Sequence, residues 1–205
     1  MNKPTIEMIH QVMEKSGMTV FKHPFSVTLG GIRTKDNSSN KFNDWLFASY
    51  YDEQGKLHSI IEAGTTDAGL YYRENPMNIN GTAIIQHGVQ HLGVYQYQDP
   101  TKNPDQKGHK GKEAFRQIKD MKYWRDADRD KYLEFDGEEE INNNSTNGHD
   151  MGTSGNNVDK WSAGCWGAPE ATMDKFYAVA KIQIAHGLKD LFSFAMLHEN
   201  AFTNA

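Results

Sequence analysis

At 205 residues the chain suits one domain and is long enough to bury a substantial core. Its 37% hydrophobic and 11% aromatic content, with four tryptophans, excludes a disordered chain. A net charge of −5 gives no overall drive toward nucleic acid, and no apolar run approaches the roughly eighteen residues of a membrane span.

Residues 4–17 open with Pro4 and Thr5 and place Ile6, Ile9, Val12 and Met13 at helical spacing before Gly17, which predicts a short amphipathic helix. Residues 1–20 are expected to be an N-terminal helical appendage to a single domain spanning 1–205. The same start lacks the continuous apolar core and small-residue cleavage site of a secretion signal, so the expectation is synthesis in the cytoplasm. From Phe25 the pattern changes to short β-prone runs. Ser26 to Thr34 reads as a strand, and 45–51 and 57–62 flank the turn Asp52-Glu53-Gln54-Gly55-Lys56 as a hairpin. Gly64-Thr65-Thr66-Asp67-Ala68-Gly69 is too rich in turn formers for regular structure. Residues 81–85 and 91–97 predict two strands around a Gly88 turn, and 99–111 a polar loop.

Residues 107–125 are the one basic stretch, with seven Lys or Arg against Glu113 and Asp120, interleaved with Phe115, Tyr123 and Trp124. It reads either as a solvated face or as a surface for an anionic polymer. Asp126, Asp128 and Asp130 then match positions 1, 3 and 5 of a calcium loop. Lys131 stands where that loop needs glycine and Gly137 where it needs glutamate, so a solvated turn with Asp–Arg pairs is expected. Residues 142–157 form a loop, Pro169-Glu170 opens a helix ended by Gly187, and 191–197 predict a last strand. No phosphate-binding glycine motif or internal repeat is present.

The chemical interest lies in Gly148 to Gly167. Cys165 is the only cysteine, and His149 precedes it with fifteen residues between. A lone thiol cannot close an intramolecular disulfide. It is either a small buried hydrophobe or a nucleophile activated by His149. Small residues in Ser162-Ala163-Gly164-Cys165 let the backbone approach a carbonyl, so amides near Gly164 and Cys165 are candidate oxyanion donors.

Here the chain resembles the L,D-transpeptidase catalytic-domain family, whose signature is a histidine upstream of a Ser/Thr-x-Gly-Cys run. The resemblance is carried by Gly148-His149 and Val158-Asp159-Lys160-Trp161-Ser162-Ala163-Gly164-Cys165. Gly31-Ile32-Arg33, 65–69, 80–84, 108–112 and Arg125-Asp126 support it, over about residues 26–200. It implies a mainly β (α+β) fold, a sandwich or barrel with an N-terminal helix and another after the cysteine. It implies a thioester acyl-enzyme formed from a peptidoglycan stem peptide, with no cofactor or metal. Carried over by position, Cys165 is nucleophile, His149 its base, Gly164 an oxyanion-hole or thiolate-orienting backbone, and Ser162 a supporting hydrogen bonder. His109, Trp161 and Trp166 are candidate substrate contacts. Ala163 and Gly167 stand where that family usually carries His and Arg. A wall substrate beside a chain without a recognisable signal suggests action at the bacterial wall or carriage in a phage virion. A catalytically altered virion or wall-binding protein is the alternative, and virion or homo-oligomer contacts are the other expected partners. A working Cys165 is expected to react fast with iodoacetamide at pH 6 to 7.

Overall fold

A computed structural model describes residues 1–152 and 155–203; Thr153 and Ser154, in the polar loop expected between His149 and Cys165, lie outside the described residues. The first element, α1 (Ile6–Lys15), is capped by Thr5, whose side chain accepts the Met8 amide, and it is ended by Gly17 at a φ of +73°. Its buried face packs on Ile32, Phe47, Ile61, Ala195 and Leu197. The expected appendage is therefore an integral layer: an amphipathic stripe of this length needs a partner, and the sheet supplies one.

The strands follow in chain order: β1 (Thr28–Arg33), β2 (Asp44–Tyr51), β3 (Leu57–Gly64), β4 (Thr82–Ile85), β5 (Val89–Gln98), β6 (Ala114–Gln117), β7 (Met121–Asp126), β8 (Glu138–Asn142), β9 (Gly148–Asp150), β10 (Trp166–Ala168) and β11 (Leu191–His198). Two helices interrupt them, α2 (Leu70–Glu74) and α3 (Glu170–Ala185). Eight strands form one sheet in the order β10-β9-β6-β5-β11-β1-β2-β3, and β4-β7-β8 form a second. The two ends of the large sheet meet: the Thr65 amide donates to the Gly167 carbonyl at 2.8 Å, and the Gly167 amide donates to the Thr65 carbonyl at 2.9 Å. The result is a mainly β chain with a nearly closed, barrel-like sheet. A β-carbon at 167 would lie 2.0 Å from the His149 carbonyl oxygen, so the close β9–β10 pairing requires glycine there.

The main core fills one face of this sheet, where α3 sets Met173, Phe176 and Ala180 against Tyr95, Phe115, Trp166 and Phe194. Two expectations change. The segments around Gly88 are not a hairpin, because β4 pairs with β7 while β5 joins the large sheet beside β11; the fully buried Thr82–Ile85 run is an edge strand of the separate sheet, covered by the rest of the chain. The basic stretch is folded into β6 and β7. Phe115 and Tyr123 turn inward and Lys122 outward, and Lys112 and Lys119 are exposed beside the strands, so these rings offer no stacking platform for bases.

Candidate active site

β9 and β10 are the short strands that carry the site. They pair in parallel, Gly148 beside Trp166 and His149 beside Gly167. One step earlier Asn147 comes level with Cys165, and its amide donates to Sγ at 3.3 Å. Side chains level with one another across a parallel pair share a face, and those two residues apart share it again. Cys165, Asn147 and His149 thus lie on one face, while Trp166 faces the opposite core. Gly148 makes that possible, because any β-carbon there would strike the Trp166 ring.

The turn before the cysteine is built around Ser162, which is fully buried. Its hydroxyl accepts the Gly164 amide at 3.1 Å and donates to the Cys165 carbonyl at 2.7 Å. Gly164 has a φ of +126°, a conformation closed to most L residues, and the Ala83 carbonyl would lie 2.7 Å from its β-carbon. The Gly164 amide is therefore committed to Ser162 and does not serve as an oxyanion donor. The Cys165 amide makes no hydrogen bond among the described residues and is the donor left for that role. Ala163 lines a cleft of about 220 Å³ with Tyr72, Thr82, Arg125 and Asn144.

The thiol is buried, with 9% of its surface exposed. Burial pushes its pKa up to about 11, against the opposing pull of the Asn147 amide and the Lys110 charge. Sγ lies 3.8 Å from the Ser145 carbonyl, to which it can donate, and among the described residues no hydrogen bond joins Sγ to an imidazole. A thiol raised this far rests neutral, which argues against the fast alkylation at pH 6 to 7 expected of a working Cys165.

His149 is held by a 2.6 Å contact from Nδ1 to the Asp150 carbonyl. A carbonyl only accepts, so Nδ1 carries the proton and the lone pair is on Nε2. Nε2 is buried and without a partner among the described residues. Burial holds the His149 pKa below the usual histidine range despite the Asp150 carbonyl, which keeps the ring neutral. His109 stacks on it with centroids 3.8 Å apart and planes within 4°. Its own pKa falls to about 4, first through burial and then through His149. Asn147 orients this second ring: its Oδ1 accepts the Gln117 amide, which leaves Nδ2 to donate to His109 Nδ1 at 3.1 Å.

The fold thus gathers Cys165, His149, His109, Ser162 and Gly164. Trp161 is 46% exposed and sits against Gly152, while Trp166 is fully buried and cannot touch substrate. Its place in the core follows from strand alternation next to a residue facing the other way. Sequence reasoning missed Asn147, which touches the thiol through its amide and His109 through its side chain; nothing in the spacing signals either contact. No family model, no curated protein and no solved structure matches the chain.

Proposed function

We propose that this chain is a cysteine acyltransferase or peptidase that works through a thioester on peptidoglycan stem peptides. The observation that carries it is the unpartnered Nε2 of a neutral, oriented His149 on the strand face that also holds Cys165. In this reading His149 acts as general base only once substrate is bound. Nε2 takes the thiol proton as Sγ attacks the carbonyl of the L-centre, and the Cys165 amide donates to the developing oxyanion. His149 returns the proton to the departing amine of the D-residue, leaving the thioester. An acceptor amine or water then loses its proton to Nε2 and attacks, which restores the thiol. Gly167, where the resembling family usually carries arginine, is required by the close approach of the His149 carbonyl, so an anionic substrate group must be met elsewhere.

The buried thiol favours the second reading, a virion or wall-binding protein that keeps the fold without the reaction. Incubation with purified muropeptides, followed by mass spectrometry, separates the two. Loss or exchange of a terminal D-residue, or a new cross-link, is expected with the parent chain and is absent in Cys165→Ala and His149→Ala. Unchanged muropeptides under all acceptor conditions would favour the structural reading.

A further inference from the structure

His109 sits on a fastened turn. Its backbone exchanges both hydrogen bonds with Lys112, each at 3.0 Å, and Lys110 and Gly111 between them take left-handed φ values of +51° and +80°, as in a tight two-residue hairpin. The residue before it is tied down too: the Gly108 amide donates to Gln98 Oε1 and its carbonyl accepts from Arg116 Nη1, each at 3.0 Å.

The ring itself has a defined tautomer. Because Asn147 Oδ1 accepts the Gln117 amide, Asn147 presents Nδ2 to His109, whose Nδ1 accepts at 3.1 Å. The proton of the neutral His109 ring is therefore on Nε2. His149, stacked on it with centroids 3.8 Å apart, carries its proton on Nδ1. Two parallel imidazoles thus hold opposite tautomers, one offering a lone pair and the other an N–H. His109 is only partly buried, and its Nε2 has no hydrogen-bond partner among the described residues.

The proposed reaction lacks a donor that this N–H can supply. The Gly164 amide is committed to Ser162, which leaves the Cys165 amide alone to meet a developing oxyanion. Asn147 gives its backbone amide to Sγ and its side chain to His109, so a single residue ties the ring to the attacking atom. We propose that His109 is a second oxyanion donor, a neutral imidazole whose Nε2–H hydrogen-bonds to the acyl oxygen beside the Cys165 amide. The inference rests on the reading of Cys165 as nucleophile. As Sγ bonds to the carbonyl carbon, the C=O π pair moves onto oxygen and His149 Nε2 takes the thiol proton. His109 keeps its own proton throughout, since a neutral imidazole polarises a carbonyl without protonating it. The oxygen pair then re-forms the carbonyl, the C–N bond breaks, and the proton on His149 goes to the departing amine. A neutral donor suits the place, because a second cation stacked on His149 would oppose that proton transfer. Burial and then His149 hold His109 down to about 4, which keeps it neutral.

Two readouts test this. In the whole chain labelled with nitrogen-15 histidine at about pH 7, with the His109 signal assigned by its loss in His109→Gln, long-range nitrogen–proton correlation should show a protonated Nε2 and a bare Nδ1. A protonated Nδ1 would overturn the proposal whether or not the chain is active. Muropeptide turnover then separates donor from ring: His109→Phe keeps a flat ring against His149 and loses the donor, whereas His109→Gln keeps an N–H donor and loses the ring. In His109→Phe kcat should fall about 100-fold or more with KM changed less than about threefold, and His109→Gln should keep at least about ten times the kcat of His109→Phe. Equal kcat in the two variants, or a His109→Phe chain as fast as the parent, would overturn the proposal and leave the Cys165–His149 reading intact. No turnover by the parent would overturn both.

Discussion

Two acidic regions of this molecule are buried in opposite ways. Beside the sheet seam, Asp67 receives Arg33 Nε at 2.8 Å and Nη2 at 2.7 Å, and Asp44 accepts the amides and hydroxyls of Thr34 and Thr66. At the end of β7, Asp126 has an oxygen without a hydrogen-bond partner among the described residues. The seam meets its carboxylates with donors from the fold, whereas Asp126 is relieved chiefly by holding its proton, its pKa raised to about 7 by burial and then by Asp128.

The largest expected effect breaks the satisfied side. Arg33→Met strands Asp67 in the interior and should cost about 3–5 kcal/mol of stability, read by urea unfolding. Asp126→Asn should cost none, because it removes a repelling charge; a comparable loss in both variants would erase the contrast. Next in size is the pH response. Burial depresses His91 to about 4, so the unfolded chain takes up its proton first as pH falls. Its contribution is present above the unfolded value near 6.5 and is lost between about 6.5 and 4, up to about 3 kcal/mol. Asp44, raised to about 6 by burial and then by Asp67, acts with the opposite sign: it adds stability as pH falls from about 6 toward its unfolded value. His91→Leu should therefore flatten or invert the acid decline of the melting temperature, and an unchanged slope would remove this assignment.

Ser162→Ala sharpens the comparison at a neutral polar centre. It strands the Gly164 amide and the Cys165 carbonyl in a fully buried turn, at a cost of about 1–3 kcal/mol. Calorimetry should show it, with muropeptide turnover falling further than the stability loss explains. The smallest effect concerns the thiol itself. Iodoacetamide labelling of Cys165 should be slow at pH 7 and rise about tenfold per pH unit toward 11. His149→Ala should change labelling of the free protein by less than about twofold while abolishing turnover. A sharp fall in labelling would instead mean that the two side chains form an ion pair before substrate arrives.

Much of the local architecture was legible in the sequence. The α1 stripe with Thr5 and Gly17 at its ends, the β2–β3 hairpin, α3 and β11 all carry their own periodicity and punctuation. β6 to β8 were not, because their lysines and glutamates mask an alternation visible only once one face is known to be buried. The short β9 and β10 were illegible for another reason: three residues of backbone hold no period, and their strand form comes from pairing with each other. At the site, the chain itself pointed to Cys165, His149, Ser162 and His109. The commitment of the Gly164 amide and the role of Asn147 depend on hydrogen-bond directions that no spacing contains.

By itself, then, the sequence determined the residue types of the candidate centre and the order of strands and helices that could hold it, since these follow from local periodicity and turn chemistry. Tertiary structure decided which groups are charged. In the folded chain His149 and Cys165 are buried as neutral groups, and the connection after β7 sets Asp128 against Asp126. Burial and proximity set ionisation, and both are properties of the folded chain.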